Sequence, residues 1–140
     1  MVQADLLDKL ACMDLVEKAR RAADEGDVDA FVNSFTEDGV WERPGGAAPM
    51  KGRAVIRTTM ANLPEGRVNL HVGGGMDVTL SSSNAATVVS QVTFYSTPHT
   101  GPLPAPAVPP SRILQYTDQL VRTPDGWRIA HRTTTWVFSA

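Results

Sequence analysis

The hydrophobic period of this chain changes once, at Gly66: apolar residues recur at helical spacing before it and alternate with polar ones after it. A chain patterned this way packs helices against a sheet, because each element buries the face its period creates. From Ala4 to Glu25 there is no proline or glycine, and Cys12, Leu15, Val16, Ala19 and Ala23 share one helical face, with Leu6, Leu10 and Met13 on an adjoining stripe. The spacing predicts an amphipathic helix of about six turns. Gly26 ends it. Asp27 has the character of an N-cap for a second, short helix in which Val28, Phe31, Val32 and Phe35 fall at i, i+3, i+4 and i+7. Thr36 to Gly39 breaks that pattern, Val40 to Arg43 reads as a brief strand, and Pro44-Gly45-Gly46 turns it. Gly52 opens a third helix carrying Val55, Ile56, Met60 and Leu63, and Pro64 stops it.

After Gly66, Arg67 to Ser81 and Ala85 to Thr97 read as two long strands around a Ser-Ser-Asn turn, with Gly73-Gly74-Gly75 predicting a bulge in the first. Pro98 to Pro110 holds six of the ten prolines, so it is an exposed, stiff connection or lid rather than an element interior. The last thirty residues then form a hairpin, Ile113 to Val121 and Trp127 to Phe138, around Pro124-Asp125-Gly126. With the turn centred on Asp125, Leu120 faces Ala130, Asp118 faces Arg132 and Tyr116 faces Thr134. Side chains alternate along a strand, so Leu114, Tyr116, Asp118, Leu120, Ala130, Arg132, Thr134 and Trp136 share one face. An apolar wall with one carboxylate and one guanidinium near its middle describes a small-molecule pocket.

At 140 residues the chain is the size of one domain, 1–140, and no linker divides it. A net charge of −2 gives no basic field for nucleic acid or an acidic membrane, and no apolar run approaches a membrane span. Cys12 has no partner for an internal disulfide, which suits a reducing cytoplasm, and its place among apolar helix residues suits a small buried hydrophobe better than a nucleophile. The three histidines are scattered without carboxylates at ligand spacing, so no metal motif is present and no cofactor is implied. The predicted fold class is α+β: a cone-shaped half-barrel in which three N-terminal helices pack on a strongly curved antiparallel sheet.

Within that cone Asp118 has two readings, an acid or base oriented by Arg132, or half of an ion pair that closes the sheet interior. His71 has two as well. Strict alternation puts it on the face opposite Leu70 and Val72, and a bulge at the triple glycine changes which face is inside. Trp41, Tyr116 and Trp136 serve either as pocket aromatics or as core, and His131 points outward.

Gly26-Asp27-Val28-Asp29-Ala30-Phe31, Phe35 through Pro44, Lys51-Gly52-Arg53-Ala54-Val55-Ile56 and Asp125-Gly126-Trp127-Arg128-Ile129 together resemble the nuclear-transport-factor-2-like superfamily, most closely its SnoaL-like and ketosteroid-isomerase-like group. The resemblance covers nearly the whole chain. The superfamily includes isomerases, dehydratases, cyclases, epoxide hydrolases and proteins that only bind or dimerise, so the likeness is specific for fold and not for function. Ketosteroid isomerases place a catalytic aspartate before the proline of the first strand, where this chain has Arg43, and a tyrosine on the first helix, where it has Ala19. Both departures argue against steroid isomerisation by that route. The pocket aspartic acid of the penultimate strand corresponds to Asp118 and the tryptophan of the last strand to Trp136. SnoaL-like dehydratases add an aspartate at the end of the first helix, here Asp24, with a strand histidine and a C-terminal arginine, for which His71 and Arg132 are the candidates.

The resemblance and the pocket face together imply binding of a small hydrophobic oxygenated molecule of steroid, polyketide or terpenoid type. The implied chemistry is cofactor-free proton transfer, a lyase or isomerase reaction, by Asp118, Arg132 and His71, with Trp41, Arg43, Leu114, Tyr116, Thr134, Trp136 and Asp24 against the ligand. The alternative is a non-catalytic ligand-binding or homodimerising module. The resemblance also implies a homodimer through the convex sheet face, which carries Thr87, Val89, Thr93, Tyr95, Thr133, Thr135 and Val137.

Overall fold

Asp27 accepts a hydrogen bond from the Ala30 amide at 3.1 Å, satisfying one of the amides that a helix start leaves unpaired. Helix α1 (Val2–Glu25) therefore meets helix α2 (Val28–Asn33) at a corner turned by Gly26, which has φ 71°. The computed structural model describes residues 2–140. Its remaining elements are β1 (Phe35–Glu42), β2 (Met50–Lys51), α3 (Arg53–Ala61), β3 (Arg67–Ser82), β4 (Ala85–Pro98), β5 (Arg112–Thr123) and β6 (Gly126–Ser139). One six-stranded sheet has the order β2-β1-β6-β5-β4-β3; β3 to β6 run as an antiparallel meander, and β1 joins β6 in parallel. No helix among the described residues is long and apolar enough to cross a membrane.

The second helix is shorter than its apolar spacing predicts, and Phe35 begins a strand instead of ending a helix. Ser34 decides this: its hydroxyl donates to the Ala30 carbonyl at 3.0 Å, and its own carbonyl accepts the Ile129 amide at 2.8 Å, drawing the chain onto the sheet. Thr36 to Gly39, read from sequence as a break, belong to β1 as the irregular stretch between its pairings at Phe35 and Val40. Gly39 is needed there, because an added Cβ would lie 3.0 Å from Phe35 Cβ and from the Thr36 carbonyl. Phe31, Phe35 and Trp41 stack at the helix–sheet junction, with the Phe31 ring 5.5 Å from Phe35 and 5.3 Å from Trp41. Val16, Val32, Ile56, Val88, Leu120 and Ile129 complete this core, each such side chain contributing about 1.5–3 kcal/mol by leaving water. Cys12 is part of the same core, and its burial pushes the thiol pKa up to about 11. Leu6 and Leu10 face solvent instead.

The terminal hairpin forms with Asp118 opposite Arg132 and Tyr116 opposite Thr134, but Leu120 pairs with Ile129 and not with Ala130. Ala130 is the extra residue of a bulge between Gln119 and Leu120, so Ile129 and Trp127, not Ala130, enter the core. A second bulge, between Gly73 and Met76, divides β3 into two halves of opposite parity. Met76, Val78 and Leu80 pack on the core, while at the other half Leu70 and Val72 are exposed and Asn69 and His71 face the cone. A two-residue glycine bulge thus places polar side chains over the open half of the cone.

Candidate functional site

The open half of the cone is a cavity of about 520 Å³ between α1, α3 and the concave sheet. Its wall includes His71, Phe94, Tyr116, Arg132, Thr134 and Trp41 toward the interior, with Arg43, Arg67, Arg112 and Trp136 also lining it. No residue of 99–110 is part of that wall.

His71 owes its position to both of its neighbours. The β3–β4 register pairs it with Phe94, whose ring lies 4.4 Å away, and α1 brings Asp24 beneath it. Asp24 accepts the His71 backbone amide at 2.9 Å through Oδ2, and its Oδ1 lies 2.5 Å from His71 Nδ1. A carboxylate on Nδ1 fixes the tautomer with the proton there and leaves Nε2 as the ring's free lone pair. Arg20, one turn earlier on α1, donates to the His71 carbonyl and to Glu17, and its guanidinium is 3.8 Å from Asp24. Glu17 is first among the causes that raise the Arg20 pKa, so the group is a fixed cation beside the pair.

Arg132 and Asp118 meet deeper in the sheet through two parallel hydrogen bonds, Nε to Oδ1 at 2.7 Å and Nη2 to Oδ2 at 3.0 Å. The Asp118 side chain is 0% exposed and the Arg132 side chain 3%. Both carboxylate oxygens are occupied and neither reaches the cavity, whereas the guanidinium does, lying 4.3 Å from the Tyr116 ring. Burial works to lower the Arg132 pKa, yet the attraction and hydrogen bonds of Asp118 hold it above the ordinary value, so the cation persists. Tyr116 behaves conversely: burial raises its phenol pKa against the pull of Arg132, which keeps the hydroxyl protonated as a donor. Trp41 Nε1 donates to Thr134 Oγ1 at 3.0 Å, leaving the Thr134 hydroxyl proton free for another acceptor.

The sequence-predicted residues therefore fall into three places. His71, Tyr116, Arg132, Thr134, Trp41 and Leu114 surround the interior, while Asp24, expected against the ligand, stands behind His71 and does not line the cavity. Arg43 and Trp136 stand at the mouth; Arg43 is exposed over the Trp41 ring at 5.9 Å, and Trp136 is 42% exposed under Arg112. Asp118 lies behind the wall. Arg20, Phe94 and Arg112 were not foreseen, although two carried a signal: Arg20 stands four residues before Asp24 on one helix face, and Arg112 continues the alternation of Leu114 and Tyr116. His131 turns away from the cone, its Nε2 2.6 Å from Glu42.

No curated protein sequence matches this chain. Among solved structures, it superposes on a protein provisionally named an aromatic ring hydroxylase from Novosphingobium aromaticivorans with TM-score 0.77 and 26% identity, over 95% of this chain and 91% of that one. A protein provisionally named a scytalone dehydratase from the same organism gives TM-score 0.85 at 16% identity, over 100% and 91%. The hexachlorocyclohexane dehydrochlorinase LinA-type3 from Novosphingobium barchaimii gives 0.81 at 13%, over 100% and 93%. The last two likenesses, at such low identity, establish the fold alone. The SnoaL-like domain family matches residues 4–133, and with the cone architecture that match makes this chain a member of the SnoaL-like family within the nuclear-transport-factor-2-like fold.

Proposed function

We propose that this protein binds a small, mainly hydrophobic cyclic molecule bearing oxygen and catalyses a cofactor-free elimination from it, with His71 as the base. The supporting observation is the Asp24–His71 pair, held at 2.5 Å and opening through the imidazole onto the cavity. His71 Nε2 takes a proton from a carbon next to a carbonyl, and Asp24 stabilises the imidazolium that results. The C–H electron pair becomes a C=C bond, the C–O bond to a β-hydroxyl breaks, and that oxygen leaves as water with the proton returned by the imidazolium. Negative charge developing on the carbonyl oxygen is met by the Tyr116 hydroxyl, the Thr134 hydroxyl and the Arg132 cation, of which Thr134 is held by Trp41 and Arg132 by Asp118 before reaction. Asp118 acts through Arg132 as a positioning residue and not as the base. The names of the fold neighbours, a dehydrochlorinase and a provisional dehydratase, are consistent with elimination chemistry.

The test is a panel of cyclic β-hydroxy ketones, followed by growth of conjugated-enone absorbance. His71→Gln and Asp24→Asn should each lower kcat by about 100-fold or more, the usual worth of a positioned base. A folded His71→Gln variant working at the wild-type rate overturns the assignment.

The outer sheet face favours the homodimer as well. Val72, Thr93, Ile113 and Phe138 form one outward row across four strands, with Leu70 and Tyr95 beside it, and Phe138 is 67% exposed. A contiguous apolar row of this kind is suited to a second copy of the same sheet. Phe138, and not Val137, pairs with Ile113, because a bulge intervenes.

A further inference from the structure

The cavity wall contains five arginines and no carboxylate, in a chain whose net charge is −2. Two of the five are compensated: Arg132 by Asp118 and Arg20 by Glu17. Arg43, Arg67 and Arg112 pair with no carboxylate among the described residues. Arg43 is exposed, while Arg112 and Arg67 are anchored by neighbours. Arg112 lies over the Trp136 ring at 4.5 Å, and its Nε is buried without a hydrogen-bond partner. Arg67 donates to Ser96 Oγ at 3.0 Å, and Ser96 in turn donates to Asn69 at 2.6 Å. The turn after Arg43 closes on the same tryptophan, since a Cβ at Gly45 would lie 3.7 Å from the Trp136 ring.

We propose that the ligand of this cavity is a carboxylate, a bicyclic or larger ring acid whose anionic group is held at the mouth by Arg112, Arg67 and Arg43. This rests on the reading of the cavity as the substrate site and specifies the substrate class. A guanidinium group binds a carboxylate through charge-assisted hydrogen bonds, and none of these three cations has a carboxylate partner among the described residues. Three uncompensated cations around one opening of an acidic protein also concentrate anions there before docking. The register sets the size of the ligand. His71, Phe94 and Arg112 occupy one row across β3, β4 and β5, so the base and the anion site are two strand spacings apart, about 9–10 Å. That separation corresponds to a fused pair of rings carrying the acid at one end and the acidic C–H at the other, with Phe94 beneath the ring face.

Binding of naphthoate and of its neutral methyl ester, read by quenching of tryptophan fluorescence, tests this without requiring turnover. Naphthoate should bind at least about tenfold more tightly than the ester, and the advantage should shrink as salt rises. The Arg67→Gln/Arg112→Gln double variant should lose about tenfold in naphthoate affinity while its ester affinity stays within about twofold, the ester serving as the control for damage to the wall. Equal binding of acid and ester, equal weakening of both by the double variant, or no binding of naphthoate each overturns the proposal. His71→Gln separates the two readings: it should leave the preference for naphthoate over its ester intact while lowering elimination by about 100-fold or more. Intact acid selectivity in a protein that eliminates no substrate would sink the catalytic reading and leave this one standing.

Discussion

Asp118→Asn discriminates most sharply between a carboxylate that does chemistry and one that holds the structure. The substitution preserves shape but removes the charge facing Arg132, and the amide nitrogen it introduces is a donor pointed at a donor. In the native protein both oxygens are engaged, at 2.7 and 3.0 Å, and the carboxylate is 0% exposed. Breaking a buried pair by removing one partner costs about 3–5 kcal/mol, because the remaining charge is stranded. For 140 residues the unfolding entropy is about 0.3 kcal/mol per kelvin, so Tm should fall by about 10–17 °C in calorimetry or circular dichroism. Replacing both partners, Asp118→Leu with Arg132→Met, should recover most of that loss, since packed apolar groups of similar volume often equal or exceed a buried ion pair. At a temperature where Asp118→Asn is folded, its turnover should fall no more than about tenfold, through the less firmly held Arg132. A Tm change below about 3 °C would refute the reasoning about burial. A folded variant with turnover lost by more than about 100-fold would return the role of base to Asp118.

Cys12 gives a pH signature. Its folded thiol titrates near 11, above the ordinary value of 9.0, so the unfolded chain releases this proton first; the contribution is complete below pH 9 and is lost as pH rises toward 11. About 2–3 kcal/mol of denaturant-measured stability should disappear over that window, and a Cys12→Ala variant showing the same slope would contradict the assignment. Trp41→Phe retains the stack on Phe31 but strips Thr134 of its indole donor, so urea unfolding should register a loss of about 1 kcal/mol, whereas no change would mean the hydrogen bond is replaced by water. Light scattering should give twice the chain mass of 15.1 kDa, and Phe138→Asp should halve it; a native monomer at micromolar concentration removes the dimer proposal.

Most elements of this fold are legible in the sequence, because they depend on neighbours close along the chain. The turn pairs Thr123 with Gly126 and by itself would set Asp118 against His131; the bulge at Ala130 shifts the register by one residue and brings Arg132 opposite Asp118. The turn itself is local, with Gly126 taking the φ of 106° that it requires. A capping aspartate and a glycine stop are likewise local facts. What the local pattern leaves open is every choice made by a distant partner. Phe35 continues a helical period perfectly well, and it becomes strand only because Ile129, far along the chain, offers its amide to Ser34. Alternation through β3 gives two faces without saying which is concave; the bulge at the triple glycine buries Met76 and Val78 and thereby turns His71 inward. Asp24 and His71 are separated by 47 positions, so their contact follows from the packing of α1 across β3 and from nothing in either segment alone. The seclusion of Asp118 arises in the same way. Its charge can be read along the hairpin, but its partner depends on the bulge at Ala130, and the loss of solvent that makes it a structural ion needs the neighbouring strand, with Val88 directly opposite; burial is a property of the assembled layers.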